Sequence, residues 1–218
     1  DIEALFRILP LHLDKSRLRS LTIELTSSYW TALASETFPL ALPLITPLLS
    51  FHALRELDLD LFSASGLDDN AYERLAKVWT GLKCLKVGTG DVLRLRPVAS
   101  FKAVISLLTY CTSLEVLHVV FDGEIPPPPP HMSASQVGEG GDGRGWRQGR
   151  GGGKGEGWGV CNKLITELHV GHSPIVDAGV VASCLGSLMP RLKQIGCAKY
   201  PLEEVERWRK VQTLLAGS

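Results

Sequence analysis

The sequence predicts an α/β fold: a short, irregular solenoid with parallel strands side by side on a concave face and helices on the convex face. A leucine phrase of strand length recurs along the chain, and segments of helical periodicity lie between its copies. A third observation sets the organisation. One long Pro/Gly-rich stretch splits the copies, so residues 1–122 and 160–218 read as two parts of one repeat domain and residues 123–159 as an insertion.

The phrase is an aliphatic residue, two variable residues, Leu, one variable residue, then Leu, Val or Ile. Its copies are LRSLTI from Leu18, LRELDL from Leu54, LKCLKV from Leu82, LEVLHV from Leu114 and ITELHV from Ile165, with a weaker LKQIGC from Leu192. They start 36, 28, 32, 51 and 27 residues apart, the longest gap containing the insertion. In an extended strand alternate side chains share a face, so Leu57 and Leu59 point inward while Asp58 and Asp60 point outward. These spacings bracket a leucine-rich-repeat period once insertions are allowed. The asparagine ladder of such repeats is missing: its places hold Thr26, Phe62, Gly90, Asp122 and Ser173, which makes the repeats irregular. A three-layer α/β fold with coincidental leucine strands is the competing arrangement.

Helices are expected between the strands. Asp68 is placed to cap a helix running to Trp79, with Tyr72, Leu75, Val78 and Trp79 on one stripe. Pro97 suits the first turn of a second, where Phe101, Val104, Ile105 and Leu108 follow at helical spacing. Asp177 precedes a third, carrying Val180, Val181, Cys184, Leu185 and Leu188. From Pro201 a last helix with Leu202, Val205, Trp208, Val211 and Leu215 is expected to cap the open end of the final repeat. The insertion holds five consecutive prolines, Pro126 to Pro130, and twelve glycines among the 22 residues 138–159. It has no apolar set to offset its ordering entropy, so a disordered loop is expected.

Composition narrows function. The chain has 218 residues, 44% of them hydrophobic, and its 23 basic residues balance 23 acidic ones, so it lacks the single-signed field of a dedicated nucleic-acid or membrane-surface binder. Five scattered cysteines with no CxxC pair fit neither a disulfide framework nor a zinc site, and imply a cytoplasmic or nuclear setting. Phe38 to Leu49 is apolar but too short and too broken by proline to span a bilayer. The first residue, Asp1, is expected of a fragment or a processed form, which leaves an upstream targeting signal open.

No chemical motif completes itself. Gly138, Gly140 and Gly143 stand in GxGxxG register but lack the strand and helix that a dinucleotide site needs. A phosphate loop fails because Gly155 follows Lys154 where Ser or Thr must hold magnesium. Arg144, Arg147, Arg150, Trp146 and Trp158 suggest the alternative function, an RNA-associated protein stacking bases on its Gly/Arg-rich insertion, although the weak net charge of that tract argues against it. His169 and His172 fall on opposite sides of a strand end and do not converge on a metal, while Cys111, Cys184 and Cys197 read as small buried hydrophobes. Asp58 and Asp60 share a face at a spacing that suits acid and base roles, yet no pocket, positioned water or desolvating wall is expected to complete an active site. Neither catalytic residues nor a cofactor are expected.

The outward strand positions taken together are more informative. Thr22 and Glu24, Asp58 and Asp60, Lys86 and Gly88, His118 and Val120, and His169 and Gly171 should form adjacent columns on the concave face. The expected partner-binding residues are Thr22, Glu24, Asp58, Asp60, Lys86, His118 and His169, with Glu24, Asp58 and Asp60 as an acidic edge that selects a basic partner.

The segments AKVWTGLKCLKVG (Ala76 to Gly88), YCTSLEVLHVVFDG (Tyr110 to Gly123) and ITELHVGHSPIVDAGVVASCLGSLMPRLKQI (Ile165 to Ile195) resemble the leucine-rich regions of fungal, especially basidiomycete, F-box-like proteins. The resemblance covers roughly Leu54 to Trp208, omitting the insertion. It implies a ubiquitin-ligase receptor whose repeats hold a protein substrate and whose F-box docks on a Skp1-type adaptor. Asp1 to Leu25 shows no F-box pattern, so the adaptor is expected only if an F-box lies upstream.

Overall fold

The computed structural model describes residues 2–23, 39–90, 95–124, 159–199 and 201–217. Within them six strands, β1 (Ser20–Thr22), β2 (Glu56–Leu59), β3 (Cys84–Val87), β4 (Val116–Val119), β5 (Glu167–His169) and β6 (Gln194–Gly196), form one sheet. Every neighbouring pair is parallel, and strand order follows chain order. The helices are α1 (Ile2–His12), the short α2 (Leu42–Ile45) continuing into a 3-10 turn (Thr46–Ser50), α3 (Asp69–Val78), α4 (Phe101–Tyr110), α5 (Ala178–Leu188) and α6 (Leu202–Ala216). The protein is therefore an α/β structure built on a parallel sheet. Most of the insertion (125–158) lies outside the described residues, as does Glu24. Gly123, assigned by sequence to the insertion, belongs to the folded body: its amide donates to the Pro174 carbonyl at 2.9 Å and it bridges to Ile175.

The phrase explains the core. Leu21, Leu57, Leu85, Leu117, Leu168 and Ile195 stand in register across the six strands, and those from Leu57 to Leu168 are buried. The first aliphatic of each copy from the second onward, Leu54, Leu82, Leu114, Ile165 and Leu192, is also buried. Each is reached by a tight turn. The amides of Leu54, Leu82, Leu114 and Leu192 donate to the carbonyls of Phe51, Trp79, Cys111 and Met189, three residues earlier. At the corresponding place before Ile165 stands Asn162, buried, whose side-chain oxygen accepts from the Leu164 and Ile165 amides while its Nδ2 donates to the Leu114 carbonyl. A buried amide side chain thus supplies the acceptor that backbone provides elsewhere, and uses its donor to tie the turn to the previous unit.

Two helix starts match the sequence reading. Asp68 accepts from the Ala71 amide, and Asp177 from those of Gly179 and Val180. The third differs. Pro97 lies four residues ahead of α4, and the cap is Ser100, whose hydroxyl accepts from the Lys102 amide. Asp69 of the preceding unit fixes that serine, taking its amide at 2.6 Å and its hydroxyl at 2.8 Å. A carboxylate 31 positions earlier therefore holds the residue that caps α4. The last helix forms as expected, with Val205, Trp208 and Val211 buried, but Leu202 is exposed because the first turn of α6 reaches beyond the core. Cys197 is only half-buried, since it follows the last strand, whereas Cys111 and Cys184 are buried. The sequence reading missed α1, whose Phe6 is fully buried.

Candidate functional site

The outward row is real and contiguous. Thr22 pairs with Asp58, Asp58 with Lys86, Lys86 with His118, and His118 with His169, one residue per strand across five strands. Parallel strands lie about 5 Å apart, so their side chains touch. Lys86 Nζ stands 3.0 Å from Asp58 Oδ2. That hydrogen bond holds the ammonium of Lys86 above its ordinary pKa. The rings of His118 and His169 stack with centroids 4.1 Å apart and planes inclined by 26°. His169 Nε2 also meets Glu167 Oε1 at 2.8 Å.

Asp60, just past β2, is the hub of the row's upper side. Its Oδ1 accepts from the Thr89 amide at 2.9 Å and the Thr89 hydroxyl at 2.6 Å, and its Oδ2 faces His118 Nδ1 at 3.4 Å. Burial pushes the Asp60 carboxyl up, but the hydrogen bonds from His118 and Thr89 outweigh it and hold the group below its ordinary value. Asp60 is thus an anchored anion that fixes the next turn and orients His118. The acidic edge read from sequence changes accordingly: Asp58 is matched by Lys86, Asp60 serves the fold, and Glu24 lies outside the described residues.

The second outward column is not displayed. Gly88, Val120 and Gly171 are buried, with Ala64 packed against Gly88 and both Val120 and Thr89 packed against Gly171. Gly88 and Gly171 have φ of 79° and 55°, the left-handed region that suits glycine. A Cβ on Gly88 would lie 2.6 Å from that of Ala64, and one on Gly171 would lie 3.0 Å from Thr89 Cα. The exposed companion row is instead two residues earlier: Ser20, Glu56, Cys84, Val116, Glu167 and Gln194, all in register and none fully buried. Sequence reasoning placed the strands correctly but displayed the wrong end of them. The signal was there in Gly88 and Gly171, which mark turns rather than strand interiors.

Two groups beside the row are held by their surroundings. Thr89 gives its hydroxyl to Asp60 and so has no proton aimed at His118, and burial raises the Cys84 thiol above its ordinary pKa. Among the described residues no group of three or more His, Cys, Asp or Glu side chains could hold a metal ion. His169 pairs across the sheet with His118, while His172 reaches the Leu95 carbonyl at 2.9 Å, so the two histidines close in sequence have different partners. A groove of about 530 Å³ lies elsewhere, lined by Gly179, Ala182 and Gly186 of α5 and Leu214 and Leu215 of α6, with no residue of the row in it. No protein-family model matches this chain, and no curated protein matches it.

Proposed function

We propose that this chain is a short, irregular leucine-rich-repeat solenoid that binds another protein through its outward sheet face, as the substrate-holding region of an F-box-type ubiquitin-ligase receptor. The observation that carries the binding role is the row Thr22, Asp58, Lys86, His118 and His169: five side chains from five successive strands, in register on a rigid parallel sheet. Such a platform holds contacting groups without spending them on the core, and so lowers the ordering cost of binding. The receptor role rests on the resemblance of the leucine phrases. A Skp1-type adaptor enters this reading only through an F-box elsewhere in the full-length protein. Balanced charge favours a protein partner over a nucleic acid. Among the described residues no helix is long and apolar enough to cross a membrane.

The test exchanges charges without breaking their pair. Asp58→Lys combined with Lys86→Asp keeps an ion pair across β2 and β3 but inverts what the face shows a partner. Proximity labelling by the full-length protein should recover partners that the exchange variant loses, while melting stays within a few degrees of wild type. If the exchanged protein keeps every partner, the row is not the binding face. If the recovered partners include neither a Skp1-type adaptor nor a protein that gains ubiquitin through this chain, the receptor role is wrong.

A further inference from the structure

The row continues onto β6, where His169 pairs with Gly196. A Cβ built on Gly196 would lie 2.3 Å from both Cε1 and Nδ1 of His169 and 2.8 Å from its Cγ. The imidazole therefore occupies the space that a side chain at position 196 would fill. On its other side the same ring stacks on His118. Two neighbours thus enclose His169: an aromatic ring from β4 and a bare α-carbon from β6. Its ring N–H donates to Glu167, a carboxylate two residues earlier on the same strand whose side chain is 45% exposed. An exposed pair of this kind holds a ring weakly, because water competes for both groups.

We propose that Gly196 is a positioning residue of the outward face: its missing side chain is the bed on which His169 lies, and it fixes the imidazole edge shown to a partner. The consequence for binding rests on the function proposed above; the positioning itself does not. Gly196 has no left-handed φ, so its role is space rather than backbone conformation. The three atoms nearest an alanine Cβ at 196 all belong to the His169 ring, which turns about its own side-chain bonds. The ring moves, the strand stays, and the stack on His118 opens.

The experiment uses the whole chain and compares wild type with Gly196→Ala, His169→Ala and the double variant. In Gly196→Ala the His169 Cε1–H resonance should lose the ring-current shift imposed by His118, and His169 should react several-fold faster with diethylpyrocarbonate, read by mass spectrometry. Should Gly196→Ala melt early instead, the double variant should regain most of the loss, because the group that collides is gone. The inference is overturned if resonance and reactivity of His169 are unchanged in a folded Gly196→Ala protein, or if Gly196→Ala melts early and the double variant melts no higher. Either result leaves the charge-exchange test of the binding face standing, and failure of that test leaves the positioning of His169 standing.

Discussion

Replacing Trp208 with alanine should detach the carboxy-terminal helix from the body. The indole is 1% exposed, it stands nearly perpendicular to the Phe121 ring with centroids 6.2 Å apart, and Phe121 in turn meets Phe101 at 5.0 Å. Its Nε1 donates to the Ser173 carbonyl at 2.8 Å, and the Ser173 hydroxyl accepts from the Phe121 amide while donating to the Val170 carbonyl. One side chain therefore fills space and completes a buried polar chain. Emptying a large aromatic site costs about 3–5 kcal/mol. Trp208→Phe keeps most of the ring and strands the Ser173 carbonyl, for a loss of about 1–3 kcal/mol. At roughly 2–4 °C per kcal/mol for a domain of this size, the alanine variant should melt about 6–20 °C lower. Urea denaturation followed by circular dichroism, with calorimetry for Tm, separates the two variants. An unchanged midpoint for Trp208→Ala would refute the capping role of α6, and equal midpoints for Trp208→Phe and wild type would refute the part assigned to the indole N–H.

Three further outcomes follow from the geometry. Asp60 has a folded pKa below its ordinary value of 3.8, so its contribution is full above that value and is lost as pH falls through the folded pKa. Stability measured from pH 7 down to pH 2 should therefore show a smaller acid loss in Asp60→Asn than in wild type, and parallel curves would contradict the assignment. Asp177→Ala removes the acceptor for two amides at the start of α5 and should cost about 1 kcal/mol in denaturant titration, whereas Asp177→Ser should recover most of it. Burial pushes the Cys111 thiol up to about 12, while Cys161 is exposed. Alkylation at pH 8, resolved by peptide mass spectrometry, should label Cys161 quickly and Cys111 only on unfolding; prompt labelling of Cys111 would show that the site opens.

The amino-acid sequence by itself determined the strands, because a period of two with aliphatic residues at fixed places is a local property that few alternatives satisfy. It also determined the caps at Asp68 and Asp177, where a short acidic side chain stands directly before an apolar stripe. The outward residues from Thr22 to His169 followed from strand parity alone. Only the tertiary structure decided what those residues do to one another. Asp60 meets His118 across 58 positions of sequence, Lys86 neutralises Asp58 from the next strand, and Asn162 reaches back 48 positions to the Leu114 carbonyl. These pairings depend on register between strands, which is set when the leucine columns interlock. Burial of Gly88 and Gly171 belongs to the same class, since Ala64, Val120 and Thr89, which pack against them, lie far off in the sequence. A side chain's direction is written in the chain that carries it; its partner is chosen by how separate segments stack.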